Sequence, residues 1–107
     1  MIRANMITGG APDVITETLT NQSYTFTDAY TEAYVICTAS GAGGSTQGAQ
    51  WSKTGNATLT SLIALNSGAS LYGACKLENV AIGDTITIDG LWTGSPTVTF
   101  NYTIIGW

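Results

Sequence analysis

The last twelve residues, "PTVTFNYTIIGW" (residues 96–107), decide the fold class of this chain. Side chains in an extended strand alternate between two faces, so every second residue belongs to the same face. The first face is apolar and consists of Val98, Phe100, Tyr102 and Ile104. The second face is neutral and polar and consists of Thr97, Thr99, Asn101 and Thr103. This stretch therefore predicts a half-buried β-strand whose outer face carries no charge.

The same two-residue period recurs along the chain, between turn residues that return at intervals of roughly 8–12 residues. Further strands are predicted at residues 14–20, 23–27, 33–39, around Trp51, and at 57–65, 70–80 and 85–92. Residues 33–39 are apolar on both faces, which predicts a central strand. About eight strands without helical periodicity predict an all-β protein, an antiparallel β-sandwich of jelly-roll or immunoglobulin-like type.

The chain divides into a short arm and a single domain. Its 107 residues suffice for one domain of ordinary size, which we assign to residues 13–107. Residues 1–12 form the arm, because the apolar residues Ile2, Met6 and Ile7 precede a flexible Gly-Gly-Ala-Pro joint. Two interpretations stay open: a frayed terminus, or an arm that lies on a neighbouring subunit.

Charge is scarce. Only 9% of residues are charged, against about 25% in ordinary domains. The net charge of −4 with three basic residues argues against nucleic-acid binding, because phosphates require Lys and Arg. No apolar run reaches the ~20 residues of a membrane span, and the N-terminus lacks the apolar core of a signal peptide. We therefore expect no membrane insertion and synthesis in a cytoplasm.

The sequence offers little catalytic chemistry. Histidine is absent, which removes the commonest general base and metal ligand. Asp84 and Asp89 bracket one strand, but each adjoins a glycine in a turn-like step, which favours solvated turn residues over a catalytic pair. Cys37 and Cys75 lie in strand-like runs and are expected as buried free thiols, with a disulfide as the alternative. We predict no enzyme, no metal and no cofactor.

Aromatic residues are the remaining candidates for contacts. Trp92 and the terminal Trp107 are predicted to contact a partner protein, together with the arm residues. Trp51, Tyr72 and Trp92 are candidates for stacking on a glycan. The competing interpretation for each ring is a place in the sandwich core.

The neutral outer face of residues 97–103 predicts association. Monomeric β-proteins defend exposed sheets with charges, Pro and bulges, and this chain has few charges to use. Threonine suits a β-face and can be covered without the desolvation cost of a charge. We therefore predict a homo-oligomer or a subunit of a larger particle.

Two stretches carry a family resemblance. "SYTFTDAYTEAYVICTAS" (residues 23–40), which precedes a Gly/Ser-rich tip, and "NVAIGDTITIDG" (residues 79–90) resemble small β-sandwich modules of tailed-bacteriophage virions. The resemblance covers about residues 23–107 and implies a non-enzymatic virion component of the capsid-decoration, head-fibre or tail-fibre type. It also implies an oligomer, often a trimer, bound to capsid or tail proteins and in some cases to host-surface glycans.

Two functions follow from these expectations. The first is a structural accessory protein of a phage particle, made in the host cytoplasm and located in the virion. A decoration or adaptor protein is favoured over a complete fibre, because the chain has no long shaft or stalk. The alternative is a carbohydrate-binding or receptor-binding module that recognises surface glycans.

Overall fold

The computed structural model describes residues 11–41, 45–94 and 97–107. This part of the chain forms eight β-strands and contains no helix that could cross a membrane. The strands are β1 (Asp13–Leu19), β2 (Ser23–Thr25), β3 (Tyr30–Gly41), β4 (Ser45–Lys53), β5 (Thr58–Ser67), β6 (Ser70–Val80), β7 (Thr85–Thr93) and β8 (Val98–Gly106). Of the predicted arm, only Ala11 and Pro12 lie within the described residues.

The eight strands form two antiparallel sheets that pack into a sandwich. The larger sheet has the order β1-β8-β3-β6-β5, and the smaller sheet has the order β2-β7-β4. β1 pairs with β8, β2 with β7 and β3 with β6, so the pairs are nested along the chain. This nesting is the jelly-roll arrangement rather than the immunoglobulin one. The predicted antiparallel sandwich of about eight strands is confirmed.

β5 departs from the regular nesting, because it pairs with β6 in the larger sheet instead of with β4. Side chains close the resulting seam between β4 and β5. The indole Nε1 of Trp51 donates to the carbonyl of Ile63 at 3.0 Å. Asn66 Nδ2 donates to the carbonyl of Thr46 at 2.9 Å, and the Thr46 amide donates to the carbonyl of Gly68. These bonds satisfy backbone groups that a ladder between β4 and β5 would otherwise use.

The core lies between the sheets and is supplied mainly by the long strands. The prediction for the closing strand is confirmed, because Phe100, Tyr102 and Ile104 of β8 are buried. β3 occupies the centre of the larger sheet, as its apolar pattern predicted. Ile86 and Ile88 of β7 are fully buried against this layer from the smaller sheet.

A buried hydroxyl links the two sheets where the β2–β7 ladder ends. That ladder stops at the pair formed by Ser23 and Thr87. Beyond it, the amide of Ile88 donates to the hydroxyl of Tyr102 at 3.2 Å, and this hydroxyl donates to the carbonyl of Gln22. Burial raises the pKa of Tyr102, which keeps its hydroxyl protonated and able to donate. A side chain of the larger sheet thus replaces the next ladder bond of the smaller one.

Replacing Tyr102 by Phe is expected to lower the free energy of unfolding by about 1–3 kcal/mol, because the Ile88 amide and the Gln22 carbonyl lose their partner. Tyr72→Phe is the matched control: Tyr72 is exposed on the outside of the larger sheet, so a change within about 0.5 kcal/mol is expected. Urea unfolding of both variants measures the difference. Equal stabilities would contradict a structural role for the Tyr102 hydroxyl.

Candidate interaction surface

The outer face of the larger sheet is arranged in cross-strand rows by the registers of its five strands. One row consists of Thr16, Thr103, Ile36, Ala74 and Ile63. The next consists of Thr18, Asn101, Thr38, Tyr72 and Leu65. A third consists of Thr99, Ser40, Ser70 and Ser67. We call these three rows the neutral face.

No residue of the neutral face is charged. The charged residues of this side lie beyond one end of it, where Lys76 Nζ is 3.9 Å from Glu32 Oε2 and Glu78 lies opposite Glu32 in the register. Both partners of this ion pair are partly exposed, so the pair contributes little to stability. The charges therefore border the neutral face and leave its three rows free of electrostatic protection against association.

The neutral face has an apolar half and a hydroxyl half. The apolar half lies on β3, β6 and β5, where Ile36 is 45% exposed and Leu65 is 53% exposed, with Tyr72 and Ile63 also exposed. The hydroxyl half lies on β1 and β8, where Thr18 Oγ1 donates to Asn101 Oδ1 at 2.9 Å. Neighbouring exposed Ile, Leu and Tyr side chains on a sheet are typical of an interaction surface.

The outer face of the smaller sheet is different, because its polar side chains bind one another. Hydroxyl oxygens lie 2.5 Å apart in the pair of Ser23 and Thr87, 2.6 Å in that of Ser45 and Thr93, and 2.8 Å in that of Thr54 and Thr85. Ser52 Oγ donates to Asp89 Oδ2 at 2.6 Å. These polar side chains already have partners within the smaller sheet, so they gain few hydrogen bonds from another protein.

Most sheet edges are less suited to association than the neutral face. β5 contains a register shift between Ser61 and Ile63, and β4 contains one between Gln47 and Gln50. β2 has three residues, and β1 carries the charge of Glu17. Bulges, short strands and charges all hinder the addition of another strand. The exposed face is therefore the better candidate for a partner.

Of the residues predicted to contact a partner, the structure describes only Trp92 and Trp107. Ile2, Met6 and Ile7 lie outside the described residues. Trp107 lies at the end of the larger sheet, where its amide donates to the carbonyl of Glu32 at 2.9 Å. Its ring meets that of Tyr34 edge to face, with centroids 6.3 Å apart, so part of its surface is already used within the chain.

The three aromatic candidates for a glycan occupy three different environments. Trp51 is 8% exposed and its indole nitrogen is bonded to Ile63, so it offers no flat face to a ligand. Tyr72 belongs to the neutral face. Trp92 lies near the end of β7 and packs half-buried against the core. It lines an opening of about 340 Å³ together with Thr20, Gln22, Thr97, Val98 and Phe100.

The neutral face includes residues that the sequence alone did not single out, above all Ile36, Ile63 and Leu65. An available signal was the pattern of β3, which is apolar on both faces although only one face can point into a two-layer core. The apolar residues on the other face, such as Ile36, indicate a surface that is neither core nor ordinary solvent-exposed sheet.

Asp84 and Asp89 do not form a catalytic pair. Asp84 accepts the amide of Ala81 at 3.0 Å in the turn before β7, and Asp89 accepts the hydroxyl of Ser52 within the strand. They are five residue steps apart along an extended chain, which corresponds to about 17 Å. Glycosidase carboxyl groups lie within about 10 Å of each other. The described residues also contain no cluster of three His, Cys, Asp or Glu side chains that could hold a metal.

Comparisons with known proteins return nothing: no protein-family model, no curated protein and no solved structure matches this chain.

Cys37 and Cys75 are both free and buried, as the sequence predicted. They lie on neighbouring strands, with Cys37 opposite Gly73 and Cys75 opposite Val35. Burial raises the pKa of each thiol from 9.0 to about 12. The thiolate, which is the reactive form, is therefore disfavoured in the folded protein at neutral pH.

We expect neither cysteine to react with a thiol reagent in the folded protein at about pH 8, and both to react after unfolding. The thiols lose their protons near pH 9.0 in the unfolded chain but only near pH 12 in the folded protein. Their contribution to the free energy of unfolding is therefore fully present below pH 9.0 and is lost as the pH rises from 9.0 to about 12. Thiol titration with and without denaturant, and urea unfolding at rising pH, measure both effects. Rapid modification of the folded protein would contradict the burial.

Proposed function

We propose that this protein is a non-enzymatic structural subunit of a tailed-bacteriophage particle, of the capsid-decoration or tail-associated type. It assembles as an oligomer in the virion and uses the neutral face for assembly. The observation that carries the proposal is this face. Its three cross-strand rows are uncharged, and its apolar half exposes Ile36, Ile63, Leu65 and Tyr72.

The architecture supports the same function. Jelly rolls occur widely in viral capsid proteins and lectins, where a rigid sandwich presents its faces and loops to partners. This sandwich is held together by a buried core and by side-chain bonds between strands. Its outer surface can therefore serve an interface while its fold stays fixed, which suits a building block. The resemblance of residues 23–107 to virion modules points to a phage particle as the assembly.

The distribution of charge supports a protein partner over other ligands. A nucleic acid or an anionic membrane would require basic residues, and the chain has only three Lys and Arg residues. The neutral face instead offers hydroxyl and apolar groups. These groups can be covered by another protein at little desolvation cost.

Quantitative mass spectrometry of phage particles purified from cells that express the chain tests the proposal. We expect a fixed number of copies per particle. Ile36→Lys should reduce incorporation at least about tenfold, because the lysine would be buried without a partner. Leu91→Lys is the matched control: Leu91 is equally apolar and 63% exposed, but it lies outside the neutral face. Absence from the particles, or equal incorporation of both variants, would contradict the proposal.

A second candidate function is glycan recognition at the opening beside Trp92. Here an aromatic ring and the polar side chains of Thr20, Gln22 and Thr97 border the same space. Polar groups around an aromatic wall are suited to a sugar, whose rings have apolar faces and hydroxyl edges.

A glycan array, followed by titration of tryptophan fluorescence with any sugar that binds, tests this candidate. Gln22→Ala is expected to weaken binding about tenfold, because it removes a polar group from the opening. Gln47→Ala, an exposed amide on β4 that does not line the opening, should leave binding unchanged. A silent array or equal affinities of the two variants would exclude the opening as a glycan site.

A further inference from the structure

We infer that the neutral face binds a second copy of this chain in an isologous face-to-face dimer, with Tyr72 of each copy packed over Ala74 of the other. This inference rests on the proposed function in one respect: it concerns the face that the proposed function uses for assembly, and it identifies a second copy of the chain as the first molecule that binds there. It applies to the isolated protein, before any particle is formed.

The charge distribution favours a second copy as the partner. The chain has a net charge of −4, so two copies repel each other when acidic surfaces meet. The three rows of the neutral face contain no charge, and an approach through them brings no like charges together at the centre. A basic partner would gain nothing on this face and would bind the acidic surfaces instead.

The size of the face matches a stable interface. The neutral face and the adjoining row of Val14, Ile105, Tyr34, Lys76 and Thr60 form four rows, three across five strands and one across four. With strands about 4.8 Å apart and rows about 6.8 Å apart, this surface measures roughly 650 Å². Two copies would bury roughly 1,300 Å², within the range of about 1,200–2,000 Å² for specific interfaces.

The order of the side chains indicates where the symmetry axis lies. A two-fold axis across the strands, parallel to the rows, places the apolar half of one copy on the apolar half of the other. We place this axis between the Ile36 row and the Thr38 row. The Ile36 row of one copy then lies over the Thr38 row of the other copy, and the reverse. Tyr72 then faces Ala74, and Ile63 faces Leu65. The large tyrosine ring fills the space that the small alanine leaves, in both directions at once.

The same axis also determines which residues meet at the border of the neutral face. It places the row of Tyr34 and Lys76 against the partner's row of Ser40 and Ser70. Lys76 meets a neutral hydroxyl at the rim and keeps its own ion pair with Glu32. No charge is then enclosed without a partner, which is a requirement for a stable interface.

Sedimentation equilibrium of the unmodified protein over a concentration series tests the dimer first, so this test requires no variant. A dimer is expected. Ala74→Tyr should raise the dissociation constant at least about tenfold, because two rings would then compete for one space. The double variant Tyr72→Ala with Ala74→Tyr exchanges large and small side chains and should restore the dissociation constant to within about threefold. A monomer at all concentrations, or a double variant as weak as the single one, would overturn the inference.

Cross-linking of an introduced cysteine tests the orientation. Thr38→Cys lies next to the proposed axis, and the buried native thiols do not compete for the reagent. A short bis-maleimide is preferable to direct disulfide formation, because stacked sheets lie about 10 Å apart. Thr38→Cys should give a covalent dimer, and the control Leu91→Cys should give none. A dimer cross-linked at Leu91→Cys but not at Thr38→Cys would overturn the inference.

These results are independent of the particle experiment. A monomer that is nevertheless incorporated into particles would refute the dimer and leave the proposed function intact. A dimer that never enters a particle would do the reverse.

Discussion

The packing of Ile86 and Ile88 of β7 against the larger sheet is the contact on which the rest of the structure depends. These two side chains are fully buried, and they lie on the central strand of the smaller sheet. A three-stranded sheet with a strand as short as β2 would not be stable alone. The bridge through the Tyr102 hydroxyl fixes the position of β7 relative to β8 and Gln22. The larger sheet thereby supplies both the apolar cover and the hydrogen bonds that hold the smaller one.

The fold class could be predicted from the sequence, because each long strand repeats its pattern every two residues and buries one row. β3 and β8 show this clearly: their inward residues are core residues, and β3 occupies the predicted central place. The strand order could not be predicted, since it depends on pairings between distant segments. β5 pairs with β6 along a backbone ladder, and the Trp51 indole closes the seam to β4 by donating to a carbonyl twelve residues away. No local pattern indicates such a bond.

The candidate site could be predicted only in part. Tyr72 was selected as an exposed aromatic and does lie on the neutral face. Trp51 was selected for the same reason but is buried, because alternation does not tell which rings the opposite sheet covers. Ile36 was not selected, since a residue in a strand that is apolar on both faces is naturally assigned to the core. In a two-layer sandwich only one face of β3 can be buried, and the structure shows that Ile36 lies on the other face.

The two outer faces are both poor in charge, but they differ in hydrogen bonding and in exposed apolar side chains. On the smaller sheet, Ser and Thr hydroxyls form hydrogen-bonded pairs, and Asp89 accepts the hydroxyl of Ser52. On the larger sheet, the uncharged residues include large apolar side chains that water solvates poorly. Composition treats both faces alike, whereas the hydrogen-bond partners separate them. The larger sheet, where several large apolar side chains are exposed side by side, therefore has the stronger physical reason to be covered.

The two buried thiols have a consequence for the chemical surroundings in which this fold can exist. The stability of the sandwich depends on no covalent cross-link, and both sulfur atoms are enclosed by the two sheets. While the sheets stay closed, no thiolate is exposed that could attack oxidised glutathione or be oxidised by molecular oxygen. The molecule can accordingly fold in a reducing cell interior and persist after release into an aerated medium with the same bonds throughout.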